Sequence, residues 1–207
     1  GNIVWVESNN RIPTSEEYDA TALAIQEETG ANPVHPYDDL RTIAGQATCA
    51  LELLEEVPDI DYLLAPVGGG GLLSGTCSAA AALATGTKVV GCEPEKADDA
   101  WRSFQEGTIV PQTDPQTIAD GLRTSLGEYT FPIIAANVSE IVTVSEDAIL
   151  RSMRLVWETM KIIIEPSAAV PVAALLEKKI SGHADRIGVI LSGGNVDLDS
   201  LPDWPEL

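Results

Sequence analysis

The stretch 61–75, DYLLAPVGGGGLLSG, constrains this chain more than any other. An apolar run at 62–67 leads into four consecutive glycines, Gly68, Gly69, Gly70 and Gly71, and an apolar, small-residue segment at 72–84 follows at once. That order reads as a buried strand, a loop and the N-terminus of a helix. Glycines leave no Cβ to hold a ligand off the backbone, and they accept φ > 0 at little cost. Successive free N–H groups, aimed by the dipole of the following helix, make an anion site, most naturally for a phosphate. A flexible glycine turn is the bland alternative. Two nucleotide loops fit less well. No lysine follows the glycines, as a Walker loop requires. The dinucleotide fingerprint G-x-G-x-x-G is met only if Leu73 takes the place of the third glycine, with Glu93 as the acidic partner after a strand at 88–92.

At 207 residues the chain can form one sizeable core, or one domain and part of another. Its net charge of −20 comes from 32 acids against 12 bases, so repulsion opposes a nucleic-acid partner. The acids are spread along the chain and read as solvated surface; with so little lysine, that pattern suits high salt and a halophilic source. No run is apolar enough to span a bilayer, and no signal peptide is evident. Cys49, Cys77 and Cys92 are odd in number and lie in apolar or alanine-rich surroundings, which predicts buried free thiols in a reducing cytoplasm and no metal spacing. The chain begins directly on a strand-like segment, 3–6, which suggests that an upstream piece is absent.

Strand and helix signals alternate throughout. Thr14 opens a capping box for a helix that stops at Gly30, and Asp39 caps a helix over 40–56 with Ile43, Ala47, Ala50, Leu51 and Leu54 on one face. His35 reads as a packed loop histidine, since nothing nearby completes a metal set. After the strand 88–92, Glu93 and Asp99 lie in one turn. With a backbone carbonyl they could ligate a hard divalent cation, although acids in the first turn of a helix explain them more simply. A short helix at 131–138, a strand at 140–144 and a helix from Ser145 to about Lys161 follow. The run 162–164 reads as a buried connector, and Glu165-Pro166-Ser167 opens an alanine/valine helix over 168–178. A last strand at 186–191 ends in a second glycine turn, Ser192-Gly193-Gly194-Asn195. The expected fold class is α/β, three-layered, with a largely parallel sheet that places both glycine turns on one edge, within reach of one ligand.

The motifs HPYDD (35–39), IAGQ (43–46), PVGGGGLLSG (66–75), EPEKADDA (93–100), TIADGL (117–122), IIEPSAA (163–169) and LSGGNVDL (191–198) occur in an order and spacing that resemble the fold-type II pyridoxal-phosphate enzymes, in particular the threonine/serine dehydratases and serine racemases. The resemblance covers nearly the whole chain and implies a tryptophan-synthase-β-like fold, N-terminally incomplete, with 1–34 a remnant of the small domain and 35–207 the large cofactor-binding domain.

The resemblance also implies roles. Gly68, Gly69, Gly70 and Gly71, with the Leu72 amide, correspond to the cup for the cofactor phosphate. Ser192 corresponds to the hydroxyl that meets the pyridine nitrogen; being neutral, it leaves the ring a weaker electron sink, which suits β-elimination. Gly121 corresponds to the glycine whose backbone borders the ring, and Glu165 to the carboxylate lining the cofactor side of the cleft. Glu93, Asp99 and the Ala97 carbonyl correspond to a divalent-cation site (Mg, Mn or Ca), and this reverses the simpler reading above. Tyr37 stands where racemases carry an asparagine. The lysine that carries the cofactor, in an S-F-K-x-R-G-A motif, and the S-x-G-N-H asparagine are both missing. Lys88, Lys96, Lys161, Lys178 and Lys179 follow no such pattern, so no catalytic residue is expected in this chain. The implied activity is that of the C-terminal part of an L-threonine/L-serine dehydratase, a homodimer releasing a 2-oxo acid and ammonia and inactive without its missing segment. The alternatives are a serine racemase or hydroxyaspartate dehydratase fragment, or a phosphate- or cation-binding module that has lost catalysis.

Overall fold

A computed structural model of the chain describes residues 15–197. The chain divides into two compact units, Gly1–His35 and Pro36–Leu207. The described part of the first is one helix, α1 (Ser15–Thr29), which ends at Gly30 in the left-handed region (φ 70°). The capping box at Thr14 and the strand expected at 3–6 lie outside the described residues.

The second unit is built on four parallel strands, β1 (Tyr62–Pro66), β2 (Lys88–Pro94), β3 (Glu140–Val144) and β4 (Ile187–Val189), in the order β3-β2-β1-β4. Leu64 pairs in register with Val90 on one side and Val189 on the other. All five residues of β1 are buried, as expected of a central parallel strand covered on both faces. Its side chains alternate between two cores. Leu63 and Ala65 join Leu54 of α2 (Leu40–Glu56), Leu73 of α3 (Gly71–Leu83) and Ile134 of a short helix, α5 (Thr130–Asn137). Tyr62 and Leu64 join Met153 of α6 (Glu146–Met160) and Val170 of α7 (Pro166–Leu176). The result is a three-layer α/β arrangement, with α4 (Asp99–Glu106) following β2.

Local chemistry explains the boundaries. Asp39 Oδ1 accepts the Arg41 N–H at 2.7 Å, and Ser145 Oγ accepts the Ala148 N–H at 3.2 Å, so both helices start on side-chain caps. Gly70 stands at the N-terminus of α3 with φ 88°, a conformation that a Cβ would oppose. A Cβ at Gly75 would meet the Ala47 backbone nitrogen at 2.5 Å, so the absence of one is what lets α2 lie against α3.

Three expectations need correcting. Cys49 is exposed; only Cys77 and Cys92 are buried. It precedes the buried Ala50 by one residue, about 100° round the helix, which takes it off the apolar stripe. In the run 162–164 only Ile164 is buried, whereas Ile162 and Ile163 are 46% and 57% exposed. This link is anchored by the Trp157 Nε1–H, which donates to the Ile164 carbonyl at 2.9 Å, and it inserts one side chain of the three. The last strand is shorter than expected, although Ile190 N–H still donates to the Leu64 carbonyl at 3.0 Å.

Candidate cofactor site

Beyond the C-terminal end of β1 the chain turns through Gly68, Gly69 and Gly70 into α3. A helix leaves its first N–H groups without intrahelical partners, and here the preceding glycine amides add to them. Among the described residues no acceptor meets the N–H of Gly68, Gly69 or Gly70. This is an uncapped positive terminus, buried except at Leu72. It opens into a cleft of about 440 Å³ lined by Gly68 to Leu72 and also by Gly121, Glu165 and Ser192. The two glycine turns are therefore on the same edge of the sheet, and every residue assigned above to the cofactor lines one cavity.

The walls are held by named contacts. The loop at 117–123 is fixed by Glu146 Oε2, which accepts the Ile118 N–H at 2.8 Å, and by Ser167 Oγ, which accepts the Gly121 N–H at 3.1 Å. A Cβ on Gly68 would lie 3.0 Å from the Gly121 carbonyl oxygen, so the two loops touch without side chains between them. Beside the cleft, Glu165 Oε2 accepts the Asn195 N–H at 2.9 Å, and the Glu165 N–H donates to the Gly193 carbonyl at 3.1 Å. That pair of bonds ties the second glycine turn to the start of α7. The Tyr37 ring packs on Gly69, where a Cβ would stand only 2.3 Å from the ring's Cγ.

Tyr37, which the family resemblance singled out, lines the cleft too; Thr124 and Ser167 also line it, and the sequence assigned no cofactor role to either. Their signals were weak: Ser167 read as part of a helix start, and a threonine in a coil carries no pattern. Thr130 was missed as well. It precedes Phe131-Pro132, a helix-start signal that pointed to a boundary and not to a contact with the glycine loop.

Glu93, Ala97 and Asp99 lie elsewhere, around the end of β2 and the start of α4, and all three are buried. Glu93 accepts the N–H of Ala100 at 2.9 Å and of Trp101 at 2.8 Å, one on each oxygen. Asp99 Oδ1 accepts from Gln112 Nε2 at 3.1 Å, while its buried Oδ2 has no partner. Burial, and after it the neighbouring Asp99 carboxylate, pushes Glu93 up to about 9; burial pushes Asp99 up to about 6. Two buried acids, one with an orphaned oxygen, suit a hard divalent cation. Among the described residues no group of three or more His, Cys, Asp or Glu side chains is placed to hold a metal ion, so any such site rests on these two acids and the Ala97 carbonyl.

Among the described residues that line the cleft there is no cysteine, histidine or lysine. Burial pushes the Cys77 thiol up to about 11 and the Cys92 thiol higher, and neither lines the cavity. All five lysines of the chain lie outside the cleft as well.

Over residues 1–193 the chain matches the family described as "Pyridoxal-phosphate dependent enzyme". It is 47% identical over 190 residues to the β-hydroxyaspartate dehydratase of Paracoccus denitrificans, covering 92% of this chain and 60% of that protein. The crystal structure of serine racemase from Dictyostelium discoideum superposes with a TM-score of 0.84 at 46% identity, over 89% of this chain and 60% of that one. The crystal structure of a T.th. threonine deaminase gives 0.81 at 47%, over 87% of this chain and 70% of that one. The chain thus spans about 60% of the length of these curated relatives. Its glycine loop, its fold and these likenesses agree: the chain belongs to the pyridoxal-phosphate dependent enzymes of fold type II.

Proposed function

We propose that this chain forms the phosphate-holding portion of a pyridoxal-phosphate enzyme acting on small 3-hydroxy amino acids, foremost 3-hydroxyaspartate and serine. The expectation of a threonine dehydratase is not favoured, because β-hydroxyaspartate dehydratase and serine racemase are among its most similar relatives. The observation that carries the reading is the cleft itself, about 440 Å³, whose lining brings together glycine amides with no acceptor among the described residues, the Ser192 turn and Glu165. The residues fit the cofactor. The Gly68 to Leu72 amides would take its phosphate, the Gly121 backbone would border its ring, and the Ser192 hydroxyl would face its ring nitrogen without adding charge. Bound there, the cofactor would supply an electron sink for the substrate's α-carbon. Glu165 holds the Ser192 turn in place. The lysine that carries the cofactor comes from residues beyond these 207.

Elimination of water is the preferred reaction, since the family resemblance sets Tyr37 where racemases carry an asparagine. Racemisation is the second reading, supported by the 47% identity to the Dictyostelium serine racemase. Glu93, Asp99 and the Ala97 carbonyl would hold a divalent cation that stiffens the turn after β2. The protein is proposed to work as a homodimer in the cytoplasm.

Two measurements test this. The chain should bind pyridoxal phosphate reversibly, with no covalent adduct after borohydride treatment; a lysine adduct would show that one of its own lysines serves. The source protein with its lysine-bearing segment should release ammonia from 3-hydroxyaspartate or serine faster than from threonine. A clear preference for threonine would overturn the substrate assignment.

A further inference from the structure

The helix that walls the glycine loop begins with a residue bonded on every side. Thr130 is fully buried at the start of α5. Its Oγ1 lies 2.8 Å from the Gly69 carbonyl oxygen and accepts the Gly127 N–H at 2.8 Å. The Gly127 carbonyl is farther, at 3.4 Å, so the single hydroxyl proton is best placed on the Gly69 carbonyl. The Thr130 carbonyl accepts the Ser74 hydroxyl of α3 at 3.2 Å. Its N–H donates to Asp38 Oδ1 at 3.2 Å, and the same carboxylate accepts the N–H of Glu128 at 3.0 Å and of Tyr129 at 2.8 Å. Thr130 therefore joins the glycine loop, α3 and the 36–39 segment that carries Tyr37.

The consequence follows from peptide geometry. In a trans peptide the C=O and the next N–H lie in one plane and point in opposite directions. A Gly69 carbonyl drawn back onto the Thr130 hydroxyl turns the Gly70 N–H the other way, away from α5 and toward the cleft that Gly70 lines. Glycine at φ 88° has no intrinsic preference strong enough to hold that orientation, so an external anchor decides it.

We infer that Thr130 is a positioning residue for the anion cup: its hydroxyl fixes the Gly69–Gly70 peptide so that the amide is presented to a phosphate. This rests on the cofactor reading above and adds to it the residue that orients the loop. Thr130 is itself buried and is not among the residues that line the cleft, so it acts through the loop.

The test compares three ligands on the full chain: inorganic phosphate, pyridoxal phosphate and pyridoxal, which lacks the phosphate. Thr130→Val keeps the shape and removes the hydroxyl. It should weaken phosphate and pyridoxal phosphate about tenfold or more, the size of one well-aimed hydrogen bond, while leaving pyridoxal unchanged. Thr130→Ser should restore the phosphate affinity. Thr130→Ala, which leaves room for a water, replaces Thr130→Val if circular dichroism shows the latter unfolded. Equal weakening of pyridoxal and pyridoxal phosphate would mean general loosening and overturn the assignment, as would wild-type phosphate affinity in a folded variant. A wild-type chain that binds none of the three overturns the cofactor reading instead. The anchor is then judged by amide hydrogen exchange at Ser74, whose N–H donates to the Gly70 carbonyl at 2.8 Å. That exchange accelerates in Thr130→Val if the hydroxyl holds the loop and stays at the wild-type rate if it does not.

Discussion

Glu165 and Asn195 are bonded beside the cleft: the Glu165 carboxylate accepts the Asn195 main-chain N–H at 2.9 Å, joining the start of α7 to the turn that carries Ser192. A Cβ at Gly193 would lie 2.8 Å from Glu165 Oε1, so the turn is also pressed against the carboxylate. A hydrogen bond to a charged acceptor contributes about 1.5–3 kcal/mol, and Glu165→Ala should lower pyridoxal phosphate affinity by about tenfold. Glu165→Gln retains an acceptor oxygen and should lose much less. Spectrophotometric titration of the cofactor decides this, and equal affinity in all three proteins would remove Glu165 from the site.

The packing of Tyr37 on Gly69 predicts a strong coupling. In Gly69→Ala the new methyl meets the ring, at 2.3 Å from Cγ in the undisturbed geometry, so one of the two must move. Overpacking of this kind costs about 1–3 kcal/mol. Removing the ring first, with Tyr37→Ala, should make the same glycine substitution nearly neutral for stability. A double-mutant cycle in urea reads the difference directly. Additive losses would mean that the ring is not what excludes a side chain at position 69.

The paired acids predict a response to metal. Magnesium, manganese or calcium at a hundredfold excess over the dissociation constant should stabilise the chain by about 2.7 kcal/mol, or roughly 5–10 °C in melting temperature at this size. The double variant Glu93→Ala, Asp99→Ala should show no shift with metal. Calorimetric melting with and without each cation checks it, and an unresponsive wild type would reduce these acids to a buried cap on α4.

The start of α2 gives a pH prediction. The Arg41 guanidinium, and then the Arg41 N–H, bonded to Asp39 hold its carboxyl down at about 2 against an ordinary 3.8. A folded-state value below the unfolded one means that the cap stabilises the protein fully above about pH 4 and loses that effect as pH falls toward 2. Carbon-13 NMR of the Asp39 carboxyl should show the low midpoint. Arg41→Ala should raise it only partway, because the main-chain N–H remains. A wild-type midpoint near 4 would refute the cap.

Much of the architecture was legible because it depends on local patterns. Asp39 before an apolar stripe gave the start of α2, and Ser145 followed by two acids gave the start of α6. A six-residue apolar run, 62–67, ending in glycines could be little other than a central parallel strand feeding a helix. The glycine loop was readable for the same reason: four glycines in a row are a backbone device, and their meaning is carried by the missing Cβ atoms, whereas Gly121, Glu165 and Ser192 entered only through the family resemblance.

What was not legible depends on contacts between residues far apart in sequence. Cys49 and Ile163 were expected inside and are exposed, because burial depends on which side of an element meets its neighbours and not on local apolarity. Asp38 capping α5 joins residues about ninety positions apart. Thr130 holding Gly69 spans 61. The sequence alone determined that a glycine loop joins a buried strand to the start of a helix, since φ and Cβ constraints act residue by residue. Only the tertiary structure decided what packs behind that loop, Thr130 and Tyr37 among them, and what shares its cleft, because such contacts join residues far apart in sequence.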